Sequence, residues 1–155
     1  MSDIFYKSTD GLDLYARSYG PEDAPLTALC MHGLTRNHKD FEPMIAALGW
    51  TYRFIAVDVR GRGQSDRTMD AETYTPMVYA RDMLTLLDHL RLSRVALIGT
   101  SMGGLMAMLM AKSAPDRFSG IVLNDVGPVV ERALVRVRVS TASAARASSP
   151  PAPPT

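Results

Sequence analysis

The chain is short of cysteine, of charge of either sign in excess, of long apolar runs and of histidine. Its single cysteine, Cys30, excludes an internal disulfide and fits a reducing compartment, so a cytoplasmic chain is expected. Neither sign of charge is in excess: 17 basic and 16 acidic side chains leave +1, which calls for no nucleic-acid partner. The longest apolar run, Leu105–Ala111, is far below the roughly 20 residues that span a bilayer, so no membrane partner is expected. The N-terminus, Met1 to Lys7, has no basic stretch followed by an apolar one, so no secretory signal is expected. Histidine is scarce as well. There are three, His32, His38 and His89, and none follows.

What is present is a globular composition, 46% apolar and 21% charged, on a length that suits one domain with its own core. Phe5–Ser8 and Leu12–Tyr19 flank Asp10-Gly11 and predict an antiparallel hairpin. Leu12, Leu14 and Ala16 share one face, while Asp13, Tyr15 and Arg17 predict a wet one. Leu26–Met31 reads as a buried strand with Cys30 as a small core residue. Arg36–Asp40 is a polar loop. Phe41–Leu48 carries Phe41, Met44, Ile45 and Leu48 at the helix period, with Gly49 as a stop.

Tyr52–Val59 is the next strand and runs into a Gly-rich loop, Asp58–Asp66. Gly61 and Gly63 do not make a dinucleotide fingerprint, because Asp66 stands where the third glycine belongs and no helix opens directly after. Thr75 as N-cap and Pro76 at the first helical position open a helix to about Leu90, with Val78, Met83, Leu86, Leu87 and Leu90 inward and His89 in the last turn. Ile121–Asn124 predicts a strand buried on both faces. Strand and helix alternate after the hairpin. The fold class is therefore α/β, a doubly wound and mainly parallel sheet with an N-terminal antiparallel hairpin.

The stretch that carries chemistry is Val95–Gly104. Val95–Ile98 suits a strand buried on both faces, Gly99-Thr100-Ser101-Met102-Gly103 fits G-x-S-x-G, and Met102–Ser113 is an almost wholly apolar helix. Its methionines read as core filling, not as metal ligands. Strand, sharp turn and helix are the context that holds a serine hydroxyl clear of the backbone, and glycines at 99 and 103 leave room for the crossing. Ligands of such sheets bind at the C-terminal strand ends, where His32-Gly33, Asp58–Asp66, Ser101 and Asp125 all fall.

Three motifs in order, His32-Gly33, Asp58-x-Arg60-Gly61-x-Gly63-x-Ser65 and Gly99-x-Ser101-x-Gly103-Gly104, resemble the α/β-hydrolase superfamily over about residues 5 to 130. The resemblance is to the branch of serine esterases, carbon–carbon hydrolases and cofactor-free haloperoxidase-like enzymes. It implies Ser101 as nucleophile, with the backbone N–H groups of Leu34 and Met102 as the oxyanion hole. His32, Gly33, Gly99 and Gly103 then support the site, His32 shaping its loop and not acting as base. A small-molecule ester or related carbonyl compound is the implied substrate, and no cofactor or metal is implied. Serine at position 101, not aspartate, argues against haloalkane dehalogenase and epoxide hydrolase chemistry.

In the family order the acid and then the histidine follow the serine, and this chain has no histidine after Ser101. His38 is a remote substitute. Asp125 reads as the acid or as a loop or capping carboxylate. Residues 1–130 hold 13 basic and 15 acidic side chains, whereas 131–155 hold four arginines and one glutamate. Ala, Arg, Ser and Pro make up 18 of those last 25 residues. An incomplete hydrolase unit over 1–138 and a disordered low-complexity tail over 139–155 are expected, as from an out-of-frame end or an Ala/Pro linker. Val135–Val139 alternates like a strand but also continues a helix. Catalysis is then expected to be weak or absent, and the alternative is a non-catalytic remnant or binding module. Loss of the following strands leaves Ile121–Asn124 as an apolar sheet edge, and self-association there is expected.

Overall fold

A computed structural model describes residues 1–124. Asp125, Val135–Val139, the 138/139 boundary and the tail lie outside the described residues. Six strands form one sheet: β1 (Ser2–Lys7), β2 (Asp13–Tyr19), β3 (Thr27–Met31), β4 (Arg53–Asp58), β5 (Val95–Thr100) and β6 (Phe118–Asn124). Their spatial order is β1-β2-β4-β3-β5-β6. The β1/β2 and β2/β4 pairs are antiparallel, and β4, β3, β5 and β6 run parallel. Helix α1 (Glu42–Leu48) covers one face, and α2 (Pro76–His89) and α3 (Met102–Ser113) pack on the other.

Each face has its own core. Leu29, Met31, Ile55, Val57, Val95 and Leu97 meet Met83, Leu86, Leu87, Met106 and Met110. Opposite them, Ala28, Cys30, Phe54 and Ala56 meet Phe41 and Ile45. Burial pushes the Cys30 thiol up to about 12, which leaves it a packed core group without thiolate character. Thr75 caps α2 as expected, its Oγ accepting the Val78 N–H at 3.4 Å, and Gly49 ends α1 at φ 72°.

Several expectations are corrected. The hairpin connection is five residues, because Ser8 Oγ accepts the Leu12 N–H and donates to Asp10. The face of β2 read as wet is wet at Asp13 but not at its middle: Tyr15 is fully buried between the rings of Phe5 and His38, at centroid distances of 5.3 and 5.2 Å. The loop at 36–40 already turns at His38, where a 3₁₀ turn (His38–Phe41) leads into α1. In β5 only alternate residues are fully buried, since Ala96 and Ile98 are half-covered on the α1 face. Strand β6 is not the strand buried on both faces, but it does form the expected sheet edge. Val122 is 57% and Leu123 45% exposed, because β6 pairs only with β5 among the described residues and forms the sheet edge.

Candidate active site

Ser101 sits between β5 and α3 with φ 50° and ψ −113°, a left-handed conformation that costs a side-chain-bearing residue of order 1–3 kcal/mol. The turn is held from both sides. The Ser101 N–H donates to the Asn124 carbonyl at 2.9 Å, and the Ser101 carbonyl accepts the Gly104 N–H at 2.8 Å. The glycines are required by contact. A Cβ on Gly99 would collide with the Gly103 backbone, and one on Gly103 with the Met31 carbonyl. Helix α3 thereby lies directly on the end of β3, with its N-terminus at the rim and the Ser101 side chain exposed. Met102 is the first residue of α3, so its N–H has no intrahelical acceptor.

The turn after β3 approaches from the other side. A Cβ on Gly33 would stand 3.8 Å from Ser101 Cβ. His32 fixes this turn. It is fully buried, its Nε2 accepts the Val59 N–H at 3.1 Å, and its Nδ1–H donates to the Gly33 carbonyl at 2.7 Å. Burial pushes its pKa down, which keeps the ring neutral in this tautomer. With the Gly33 carbonyl held by His32 and by the Arg36 N–H at 3.2 Å, the next N–H, that of Leu34, turns away and donates to nothing among the described residues.

The other histidines are elsewhere. His38 is buried, and its Nδ1 lies 2.8 Å from Asp58 Oδ1 while its Nε2 has no partner. It looks like half of a triad. However, Asp58 ends β4, two strands from β5, and the Tyr15 ring against His38 belongs to β2, three strands away. At about 4.8 Å per strand that is on the order of 10–14 Å. His89 is exposed at the C-terminal end of α2, which leads to the beginning of β5, opposite the rim. A cleft of about 410 Å³ beside Phe5, Tyr6 and His89 is likewise remote from Ser101.

The Asp58–Ser65 motif builds the rim through side chains whose partners lie far away in the chain. Asp58 accepts three hydrogen bonds, from the His38 N–H, His38 Nδ1 and the Gln64 N–H, each at 2.8 Å. Arg60 is fully buried and bridges two carboxylates, with Nε and Nη2 on Asp82 at 2.7 and 2.8 Å and Nη1 and Nη2 on Asp10 at 2.8 and 2.9 Å. Arg60 holds the Asp10 carboxyl well below the usual carboxylate range, while burial raises that of Asp82. A charge at position 82, between the inward Tyr79 and Met83, was the signal for this pairing. Arg62 donates Nε to the Leu34 carbonyl at 3.0 Å and Nη1 to the Tyr79 hydroxyl at 3.0 Å. Among the described residues no three His, Cys, Asp or Glu side chains cluster to hold a metal, and no helix is long and apolar enough to cross a membrane.

A family model described as alpha/beta hydrolase fold matches residues 29–142. A 3-hydroxybutyrate-oligomer hydrolase of Cupriavidus necator is 41% identical over 71% of this chain and 38% of its own length. A 3-oxoadipate enol-lactonase of Acinetobacter baylyi is 33% identical over 77% of this chain and 44% of its own. The crystal structure of an alpha/beta hydrolase from Novosphingobium aromaticivorans superposes with a TM-score of 0.75 at 44% identity, over 82% of this chain and 45% of that one. The chain thus spans less than half the length of these relatives. With its mixed sheet, its strained serine turn and these matches, the chain belongs to the alpha/beta hydrolase fold family.

Proposed function

We propose that this chain carries the nucleophile and the oxyanion hole of a serine hydrolase acting on a small ester or similar carbonyl compound. The observation that carries the reading is the left-handed Ser101, exposed at the N-terminus of α3 with Gly33 packed beside it. Ser101 Oγ attacks the carbonyl carbon and passes its proton to solvent water, and the carbonyl π pair moves to oxygen. The N–H groups of Leu34 and Met102 hold that oxyanion. Collapse expels the alcohol, which takes up a proton from solvent water, and a second water then hydrolyses the acyl-serine, releasing the carboxylic acid and returning a proton to Ser101 Oγ. The 3-hydroxybutyrate-oligomer hydrolase among the relatives favours esters of short hydroxy acids.

Neither His32, His38 nor His89 is placed to take the Ser101 proton, and no histidine follows. Turnover by this chain is therefore slow, sustained by the oxyanion donors alone. A fluorophosphonate probe tests this. Slow labelling that Ser101→Ala abolishes supports it, rapid labelling overturns the weak turnover, and labelling indifferent to Ser101→Ala overturns the nucleophile. The missing base also favours the second reading, a non-catalytic binding module that keeps the rim, which complete lack of labelling would support. The apolar edge of β6 has no charge and no proline, and it associates with further copies of the chain. Light scattering tests this, a stable monomer being the contrary result. A buried, unpaired Cys30 fits the cytoplasm.

A further inference from the structure

The Gly33 turn opens onto a charged feature of the rim. The Cβ position of Gly33 that lies 3.8 Å from Ser101 Cβ also lies 3.7 Å from Arg36 Cγ. The Arg36 stem and the Ser101 side chain thus both border the Gly33 turn. The backbone sets this position, since the Arg36 N–H closes the turn on the Gly33 carbonyl.

The Arg36 side chain is 65% exposed, and its charged partner is Asp40, Nε to Oδ2 at 2.7 Å. An exposed pair of this kind contributes little and gives way to a better acceptor. It engages only Nε, so both terminal nitrogens are without a partner among the described residues. Arg62 approaches Leu34 from its carbonyl side, and its Nη2 is unpartnered as well among those residues. Arg36 and Arg62 therefore both border the turn that carries the exposed Leu34. Arginine offers a planar pair of donors that matches a carboxylate.

We propose that Arg36 binds a carboxylate of the substrate, so that the site takes acyl compounds with a free acid at one end in preference to neutral esters. The inference rests on Ser101 being the reacting group. Asp40 holds Arg36 when no ligand is bound and competes with the incoming anion.

Monoethyl succinate and diethyl succinate are a matched charged and neutral pair, and their binding is read by NMR titration at low salt. The half-ester is expected to bind about tenfold more tightly than the diester, the discrimination of one exposed charge-assisted contact. Arg36→Gln removes the difference, Arg36→Lys retains part of it, and Asp40→Asn tightens the half-ester alone. Arg36 is exposed, so the thermal midpoint stays unchanged in these variants. No preference in the unmodified chain, no binding of either compound, or a preference that survives Arg36→Gln overturns the assignment. An Arg36-dependent preference without Ser101-dependent phosphonate labelling overturns the nucleophile reading and leaves the anion site standing.

Discussion

His32 ties the end of β3 to the end of β4, its Nε2 accepting the Val59 N–H at 3.1 Å while its Nδ1–H donates to the Gly33 carbonyl at 2.7 Å. The ring bridges two strand ends, and its neutral form is the one that fits. Removing it strands a buried N–H and loosens the turn that carries Leu34.

His32→Ala is expected to destabilise the fold by about 2–3 kcal/mol in urea denaturation. The pH dependence has a definite sign. Burial lowers the folded-state pKa of His32, so the unfolded chain takes up a proton first as pH falls. Its contribution is present above an unfolded pKa of about 6.5 and is lost as pH falls from there towards the folded value. Repeated from pH 7.5 to 5, the gap between the native chain and His32→Gln narrows. A gap that widens would contradict this assignment.

Gly103→Ala places a methyl group against the Met31 carbonyl and should cost at least about 3 kcal/mol or prevent folding. Gly120→Ala is the control, since a Cβ there meets nothing within 4 Å and its effect should stay within about 0.5 kcal/mol. Thermal denaturation of the two variants separates contact from propensity.

Asp82→Ala leaves the fully buried Arg60 with only the partly exposed Asp10 as partner. A loss of about 3–5 kcal/mol is expected, against a smaller one for Asp10→Asn. Chemical denaturation checks the order, and a larger effect of Asp10→Asn would reverse the roles given to the two carboxylates.

Ser101→Gly relieves the strain of a left-handed residue and is expected to raise stability by about 1 kcal/mol while abolishing phosphonate labelling. A rise in the thermal midpoint together with loss of labelling is the expected result. A fall in the midpoint would show that the turn is not strained.

Local patterns carried much of this fold. The order of strands and helices followed from runs such as Leu29–Met31 and Ile55–Val57, the cap at Thr75-Pro76 from its chemistry, and the serine turn from glycines at 99 and 103. What escaped were partnerships across the chain. Tyr15 looked wet until His38 and Phe5 were placed on it, and the motif residue Arg60 had no visible partner until Asp10 and Asp82 closed around it. The approach of the Gly33 turn to Ser101 likewise joins turns after two different strands.

By itself the sequence determined where a serine would be forced into a sharp strand-to-helix turn, because that depends on residues adjacent in the chain: a buried strand, small residues two positions either side, and an apolar helix. Only the tertiary structure decided which groups face that serine. It set His38 on Asp58 and against Tyr15, gave His32 its bond to the Val59 N–H, and brought the Gly33 turn beside Ser101. The physical reason is strand order. In a sheet running β1-β2-β4-β3-β5-β6, neighbours in space are not neighbours in sequence, and hydrogen bonds between loop ends form only once the sheet has assembled.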